Sequence, residues 1–190
     1  MLIARTTRII PQKRQDRDIW LVYRLNQLFA QSGGGRKVYL VVAGDPQEHP
    51  AYFAALNEQV RELNIEPFVK FIGSLSHACM PSKQNAITIE DLYGSCDLVS
   101  FLTSWGYDSY GNPIGESISN QRCYITTRYE YYQEVYGRHG FEAPIMNISQ
   151  TNDGLPDEQF VDEVYRLLND KLLMQDMARR NFAIGQRVLA

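Results

Sequence analysis

The chain has 190 residues, 44% of them hydrophobic, with 22 acidic against 19 basic side chains. That length suits one domain built on a single buried core, and a net charge of -3 argues against a general nucleic-acid binder, which is usually basic. No apolar run approaches the ~20 residues of a membrane span, the opening MLIARTTRII lacks a signal-peptide pattern, and the three separated cysteines (Cys79, Cys96, Cys123) fit neither a disulfide framework nor a zinc site, so a reduced, cytoplasmic domain is expected.

Strands and helices alternate along the sequence. Leu2 to Ile10 predicts a strand closed by Pro11. From Asp16 to Ala30, Leu21, Val22, Leu25, Leu28 and Phe29 share one helical face, with Asp16 or Asp18 as the expected cap and the Gly33–Gly35 run as the stop. The run KVYLVVA, Lys37 to Ala43, is β-branched and aromatic almost throughout, as in a strand buried on both faces of a parallel sheet. A helix over Ala51 to Leu63 and a strand over Phe68 to Ile72 follow. Ser74 to Thr88, with His77, Cys79 and Pro81, reads as a polar inserted loop. A short helix from Ile89 to Ser95 leads to a strand at Leu98 to Leu102, then a long loop to a helix beginning near Pro113. Strands at Cys123 to Thr126 and Pro144 to Ile148 come next. A helix after Pro156 carries Phe160, Val161, Val164, Leu167 and Leu168 on one face, and a last helix runs from Lys171 to the end. The expected fold is α/β, a Rossmann-like doubly wound parallel sheet of about six strands. Ligands in such sheets bind at the carboxyl ends of the strands, which directs attention to the loops after them.

The loop after the fourth strand reads Asp108-Ser109-Tyr110-Gly111-Asn112-Pro113-Ile114-Gly115-Glu116. Glycines admit close backbone approach, and a helix N-terminus suits phosphate. An acid one turn into that helix suits sugar hydroxyls better than phosphate. After the first strand, Arg8 and Lys13 can clamp a diphosphate. Gly44-Asp45 and Gly73-Ser74 each follow a strand and can admit a base or ribose. Taken singly, each feature reads equally as a capped helix, a solvated cation or an ordinary turn. Asp16-Arg17-Asp18 spells a D-x-D motif but opens a helix, where capping is the better reading. His49, His77 and His139 are isolated in sequence, without the partners of a metal set. Tyr129, Tyr131, Tyr132 and Tyr136 are expected to pack a surface helix, with Tyr129 bordering the ligand.

Together these pieces resemble the C-terminal, donor-binding domain of retaining GT-B glycosyltransferases of family 4. The likeness runs through Arg8 to Lys13 (Arg-x4-Lys), V-V-A-G-D at Val41 to Asp45, and V-K-F-I-G at Val69 to Gly73. It continues through D-L-Y-G-S-C-D at Asp91 to Asp97 and D-S-Y-G-N-P-I-G-E at Asp108 to Glu116. The resemblance implies that Arg8 and Lys13 hold the donor diphosphate, that Glu116 binds the ribose hydroxyls, and that Asp108 faces the donor sugar. It also implies that Gly44, Asp45, Gly73 and Ser74, with the backbone of Ser109, Tyr110, Gly111, Asn112, Pro113 and Ile114, surround the nucleotide and sugar. Two residues depart from the family pattern: Asp108 stands where a glutamate is usual, and Ser109 where a glycine is usual.

The resemblance implies transfer of a hexose from a UDP-, ADP- or GDP-sugar, without a metal or other cofactor. It also implies that residues 1–190 form the donor half of a longer enzyme whose N-terminal acceptor domain is absent, and which associates peripherally with a membrane. The isolated domain is then expected to be inactive. A nucleotide-sugar binding module without transferase chemistry and a sugar-nucleotide epimerase are the alternative readings.

Overall fold

The computed structural model describes residues 1–79 and 87–189. Six strands form one all-parallel sheet in the order β3-β2-β1-β4-β5-β6. They are β1 (Leu2–Thr6), β2 (Tyr39–Ala43), β3 (Val69–Phe71), β4 (Leu98–Phe101), β5 (Cys123–Thr127) and β6 (Ile145–Met146). The helices are α1 (Gln15–Gln31), α2 (Pro50–Glu62), α3 (Ile89–Ser95), α4 (Asn112–Ser119), α5 (Tyr132–Val135), α6 (Glu158–Asn169) and α7 (Lys171–Val188). The order reverses between β1 and β4. That is the switch point, where two neighbouring connections diverge and leave a crevice at the carboxyl ends of the strands.

The strands alternate between two cores with period two, as the pleat requires. Ile3, Leu40, Val42, Leu98, Cys123 and Ile125 face one core, with side chains from α1, α2 and α6. Ala4, Val99, Phe101 and Tyr124 face the other, with α3, α4 and α5. Helix α6 buries the five apolar side chains expected of it, each contributing roughly 1.5–3 kcal/mol by leaving water. Helix α3 spans the residues predicted, and a capping box between Thr88 and Asp91 sets its start.

Strand β1 stops at Thr6, four residues short of the expected end. Ile9 and Ile10 are buried all the same. They are apolar because the loop tucks into the core, not because it continues the sheet. Neither Asp16 nor Asp18 caps α1. The N-cap is Arg14, in the left-handed region at φ 55°, with no side-chain cap. Asp16 instead accepts two hydrogen bonds of 2.9 Å from the Arg14 guanidinium. Asp18 is buried, accepts from the Ser100 hydroxyl, and lies 3.6 Å from Arg5 Nε. The reason is charge: Arg5 stands fully buried in the middle strand and requires a nearby anion. Tyr129, Tyr132 and Tyr136 do not lie on a surface. All three are buried, and their rings pack in series from Phe101 to Phe141. Only Tyr131 of that run is exposed. Residues 80–86 of the expected insert lie outside the described residues. Its two ends meet, with Ser76 bridged to Thr88 and the Ile89 amide donating to the Ser76 carbonyl at 3.0 Å.

Candidate functional site

A cavity of about 370 Å³ opens at the carboxyl ends of β1 and β4. One wall comes from the end of β1 and the turn after it, with Thr6, Thr7, Arg8 and Lys13. The opposite wall is the loop into α4, with Asp108, Ser109, Tyr110, Gly111, Asn112, Pro113 and Glu116. His77 and Ile89 close one end, and Phe101 forms part of the lining. Nine of the residues singled out from the sequence thus share one cavity.

Lys13 sits on a 3-10 turn, Pro11–Lys13, whose last carbonyl accepts a hydrogen bond from the buried Arg5 guanidinium. Its ammonium lies 2.5 Å from Asp108 Oδ1, and both side chains are only 13% exposed. It also lies 5.4 Å from the ring centre of Phe101 and 5.1 Å from that of Tyr107, within cation–π reach. Burial lowers the Lys13 pKa, and the Asp108 carboxylate opposes that shift. The second Asp108 oxygen accepts from the Thr103 hydroxyl. Arg17 in turn holds the Thr103 carbonyl at 2.7 Å. The buried cations Arg5 and Arg17 therefore brace the two loops that bring Lys13 and Asp108 together.

Arg8 differs from Lys13. Its side chain is 61% exposed and pairs with Glu48, whose hydrogen bond and charge raise the guanidinium pKa. It stands at the rim of the cavity. Glu116 is the fifth residue of α4. Its Oε2 accepts a 2.6 Å hydrogen bond from the Tyr93 hydroxyl. Burial, with the Glu116 charge beside it, pushes the Tyr93 pKa far above its usual value, so the phenol stays neutral and donates. The Thr6 hydroxyl, 2.5 Å from Tyr93, completes the chain.

The turn into α4 depends on Gly111. This residue is the N-cap at φ 73°, and no side chain caps the helix. A Cβ there would sit 2.7 Å from the Tyr129 hydroxyl and 2.9 Å from Phe101. Tyr129 thus supports the turn from below and donates to the Tyr110 carbonyl at 3.0 Å, rather than bordering the cavity.

The remaining expected residues fall beside the cavity, not in its lining. Gly44 packs where a Cβ would lie 2.3 Å from the Thr7 carbonyl oxygen, and its amide donates to Gly73 at 3.0 Å. Close packing of two loops explains that glycine. Asp45 accepts from the Gln47 amide in a local turn at 2.8 Å. Gly73 and Ser74 lie in the adjoining loop. Ile114 is fully buried in the core, and its amide is bonded to the Gly111 carbonyl at 2.9 Å.

Sequence reasoning missed His77, Tyr93 and Thr103. Tyr93 was within reach, since it lies in the D-L-Y-G-S-C-D stretch. No local pattern marks Thr103 or His77. Of the other histidines, His49 caps α2 through its Nδ1, which accepts from the Tyr52 amide at 3.1 Å. Among the described residues no group of three or more His, Cys, Asp or Glu is arranged to hold a metal ion, and no helix is long and apolar enough to cross a membrane.

A parallel sheet in this order, with a cleft at its switch point lined by cations and by the start of a helix, is a doubly wound, Rossmann-like α/β arrangement. No protein-family model matches the sequence, and no curated protein is significantly similar to it. Solved structures are similar. HepE of Anabaena in complex with UDP-glucose superposes with a TM-score of 0.75 at 17% identity, over 98% of this chain and 44% of that one. A glycosyltransferase of Rickettsia africae gives 0.68 at 15% identity, over 100% and 43%. The C-terminal domain of LpcC, a group 1 family glycosyltransferase of Francisella tularensis, gives 0.70 at 16% identity, over 98% and 84%. The fold is that of the C-terminal half of a GT-B glycosyltransferase of the group 1 type. The chain spans less than half the length of HepE and of the Rickettsia protein.

Proposed function

We propose that this chain is the donor-binding half of a retaining glycosyltransferase that moves a hexose from a UDP-, ADP- or GDP-sugar to an acceptor, without a metal. The observation that carries the reading is the convergence of a caged lysine, an uncapped helix start and a braced carboxylate around one cavity. HepE, solved with UDP and with UDP-glucose, supports it.

In this reading the diphosphate lies between Lys13, Arg8 and the start of α4. When the bond from the anomeric carbon to the diphosphate breaks and the acceptor oxygen takes that carbon, negative charge grows on the leaving diphosphate. Fixed cations and a helix N-terminus stabilise that charge without reorganising. An ammonium has three donors. Asp108 engages one, so Lys13 can hold phosphate oxygens and remain anchored. Glu116 takes the ribose, its orientation set by Tyr93. Asp108 stands nearer the sugar. Gly44, Asp45, Gly73 and Ser74 form the outer edge toward the base. The acceptor belongs to a second domain, so the 190-residue chain alone transfers no sugar, because positioning of the two reactants is a large part of the rate.

Titration calorimetry with UDP, ADP and GDP, with and without EDTA, tests this. At least one nucleoside diphosphate is expected to bind equally well in both conditions. No binding of any of the three overturns the donor-site reading, and binding that disappears with EDTA overturns its metal independence.

A further inference from the structure

Tyr107 lies outside the two stretches, Arg8 to Lys13 and Asp108 to Glu116, on which the donor-site reading rests. It sits in the loop between β4 and α4, one residue before Asp108, and Gly106 at φ 66° turns the chain just ahead of it. Its side chain is 42% exposed and belongs to neither core, so burial does not explain the ring. What the ring meets is Lys13, whose ammonium lies 5.1 Å from the ring centre. The buried Phe101 ring is 5.4 Å from the same ammonium, and Asp108 Oδ1 is 2.5 Å away.

These contacts are not equivalent. A carboxylate holds an ammonium by opposing its charge, and a second carboxylate in place of a ring would cancel the attraction that Lys13 offers a phosphate. An aromatic face attracts the cation through its quadrupole and carries no net charge. It fixes the ammonium and leaves its field intact. A lysine stem is long and flexible. With two rings and one carboxylate around it, the ammonium keeps one place at the cavity wall before a ligand arrives, and less freedom is lost on binding. Phe101 is locked by the core. Tyr107 is the ring of the two that solvent reaches, and it can be changed without opening the core.

We propose that Tyr107 is a positioning residue for diphosphate binding: its ring face holds the Lys13 ammonium in place without cancelling its charge. The inference rests on the reading that this cavity takes a nucleoside diphosphate. It requires no contact between Tyr107 and the ligand, and it assigns the effect to the ring and not to the hydroxyl.

The test is calorimetry with whichever of UDP, ADP and GDP binds the parent chain, and with the matching nucleoside, on the parent, Tyr107→Phe and Tyr107→Leu. Phenylalanine keeps the ring, and leucine keeps only apolar bulk. Tyr107→Leu is expected to weaken the diphosphate roughly two- to fivefold, the worth of one exposed cation–π contact, and to leave the nucleoside unchanged. Tyr107→Phe is expected to bind both as the parent does. In a Lys13→Ala background, Tyr107→Leu should cost nothing further. A second measurement needs no ligand: ring currents should place the Lys13 ε-methylene proton signals upfield in the parent, and Tyr107→Leu should return them part of the way. The role of Tyr107 is wrong, while the donor site stands, if Tyr107→Leu binds the diphosphate as the parent does or weakens the nucleoside equally. The same holds if Tyr107→Phe loses as much as Tyr107→Leu, if the loss persists in Lys13→Ala, or if the lysine signals do not move. If the parent binds none of the three diphosphates, the donor-site reading falls and the role of Tyr107 with it.

Discussion

Lys13 carries the strongest electrostatic constraint in the site. It is nearly enclosed, its pKa is lowered by burial, and Asp108 is its single close counter-charge among the described residues. A charge-assisted hydrogen bond is worth roughly 1.5–3 kcal/mol. Lys13→Ala should therefore weaken nucleoside diphosphate binding about tenfold or more and leave a free nucleoside almost unaffected, which calorimetry with UDP and uridine will show. Asp108 cannot be altered independently of this lysine. Its carboxylate raises the Lys13 pKa against burial, so Asp108→Asn should lower that pKa further. Phosphate binding requires the ammonium, and its fraction falls as pH rises through the lysine pKa. The alkaline limb of the affinity profile should accordingly move to lower pH in Asp108→Asn, measured by UDP titrations over roughly pH 7 to pH 10. An unmoved limb would show that the ion pair has no influence on binding.

At the scale of elements, the start of α4 decides where the ligand can go. The turn is possible because Gly111 adopts a left-handed conformation directly over Tyr129 and Phe101. Alanine there meets two costs. The conformation is strained for any residue with a Cβ, and the new methyl falls inside contact distance of the tyrosine hydroxyl. Gly111→Ala should destabilise the chain by about 1–3 kcal/mol, seen as a lower Tm, and should also weaken UDP binding in whatever fraction remains folded. A variant with unchanged Tm and affinity would mean that the turn relaxes freely. Helix α3 has a different role. Its capping box fixes the end of the loop that bears His77, and its Tyr93 reaches across to Glu116. One seven-residue helix thus orients two members of the site.

Across the whole molecule, burial separates the three cysteines. Cys96 and Cys123 sit in the two cores, where burial pushes their thiols up to about 12 and about 11. Cys79 is exposed. A thiolate is the reactive form, so a disulfide reagent at neutral pH should label one thiol per native chain and all three after unfolding. Labelling of more than one in the native state would contradict this packing. The same scale explains the buried Arg5–Asp18 pair at the centre of the sheet. Losing either partner would strand a charge in the core, and Arg5 also holds the Lys13 turn. The stability of the sheet and the placement of the phosphate-binding cation are therefore coupled.

Sequence alone determined the order and nature of the main elements, because periodicity and β-branched runs are local properties of neighbouring residues. It also marked the two segments, Arg8 to Lys13 and Asp108 to Glu116, that meet in the cavity. It left four residues of β1 misassigned, since burial of Ile9 and Ile10 looks the same in a loop as in a strand. The caps expected of Asp16 and Asp18 gave way to ion pairs with arginines, and Tyr129, Tyr132 and Tyr136 after β5 proved to be core. Only the tertiary structure decided how Lys13 meets Asp108 from 95 positions away, how Tyr93 and Thr103 hold the two acids, and that His77 stands beside Glu116. Those contacts come from crossovers that bring distant loops to one edge of the sheet. A histidine with no pattern around it in sequence acquires its partners only when β3 and α3 are folded against that edge.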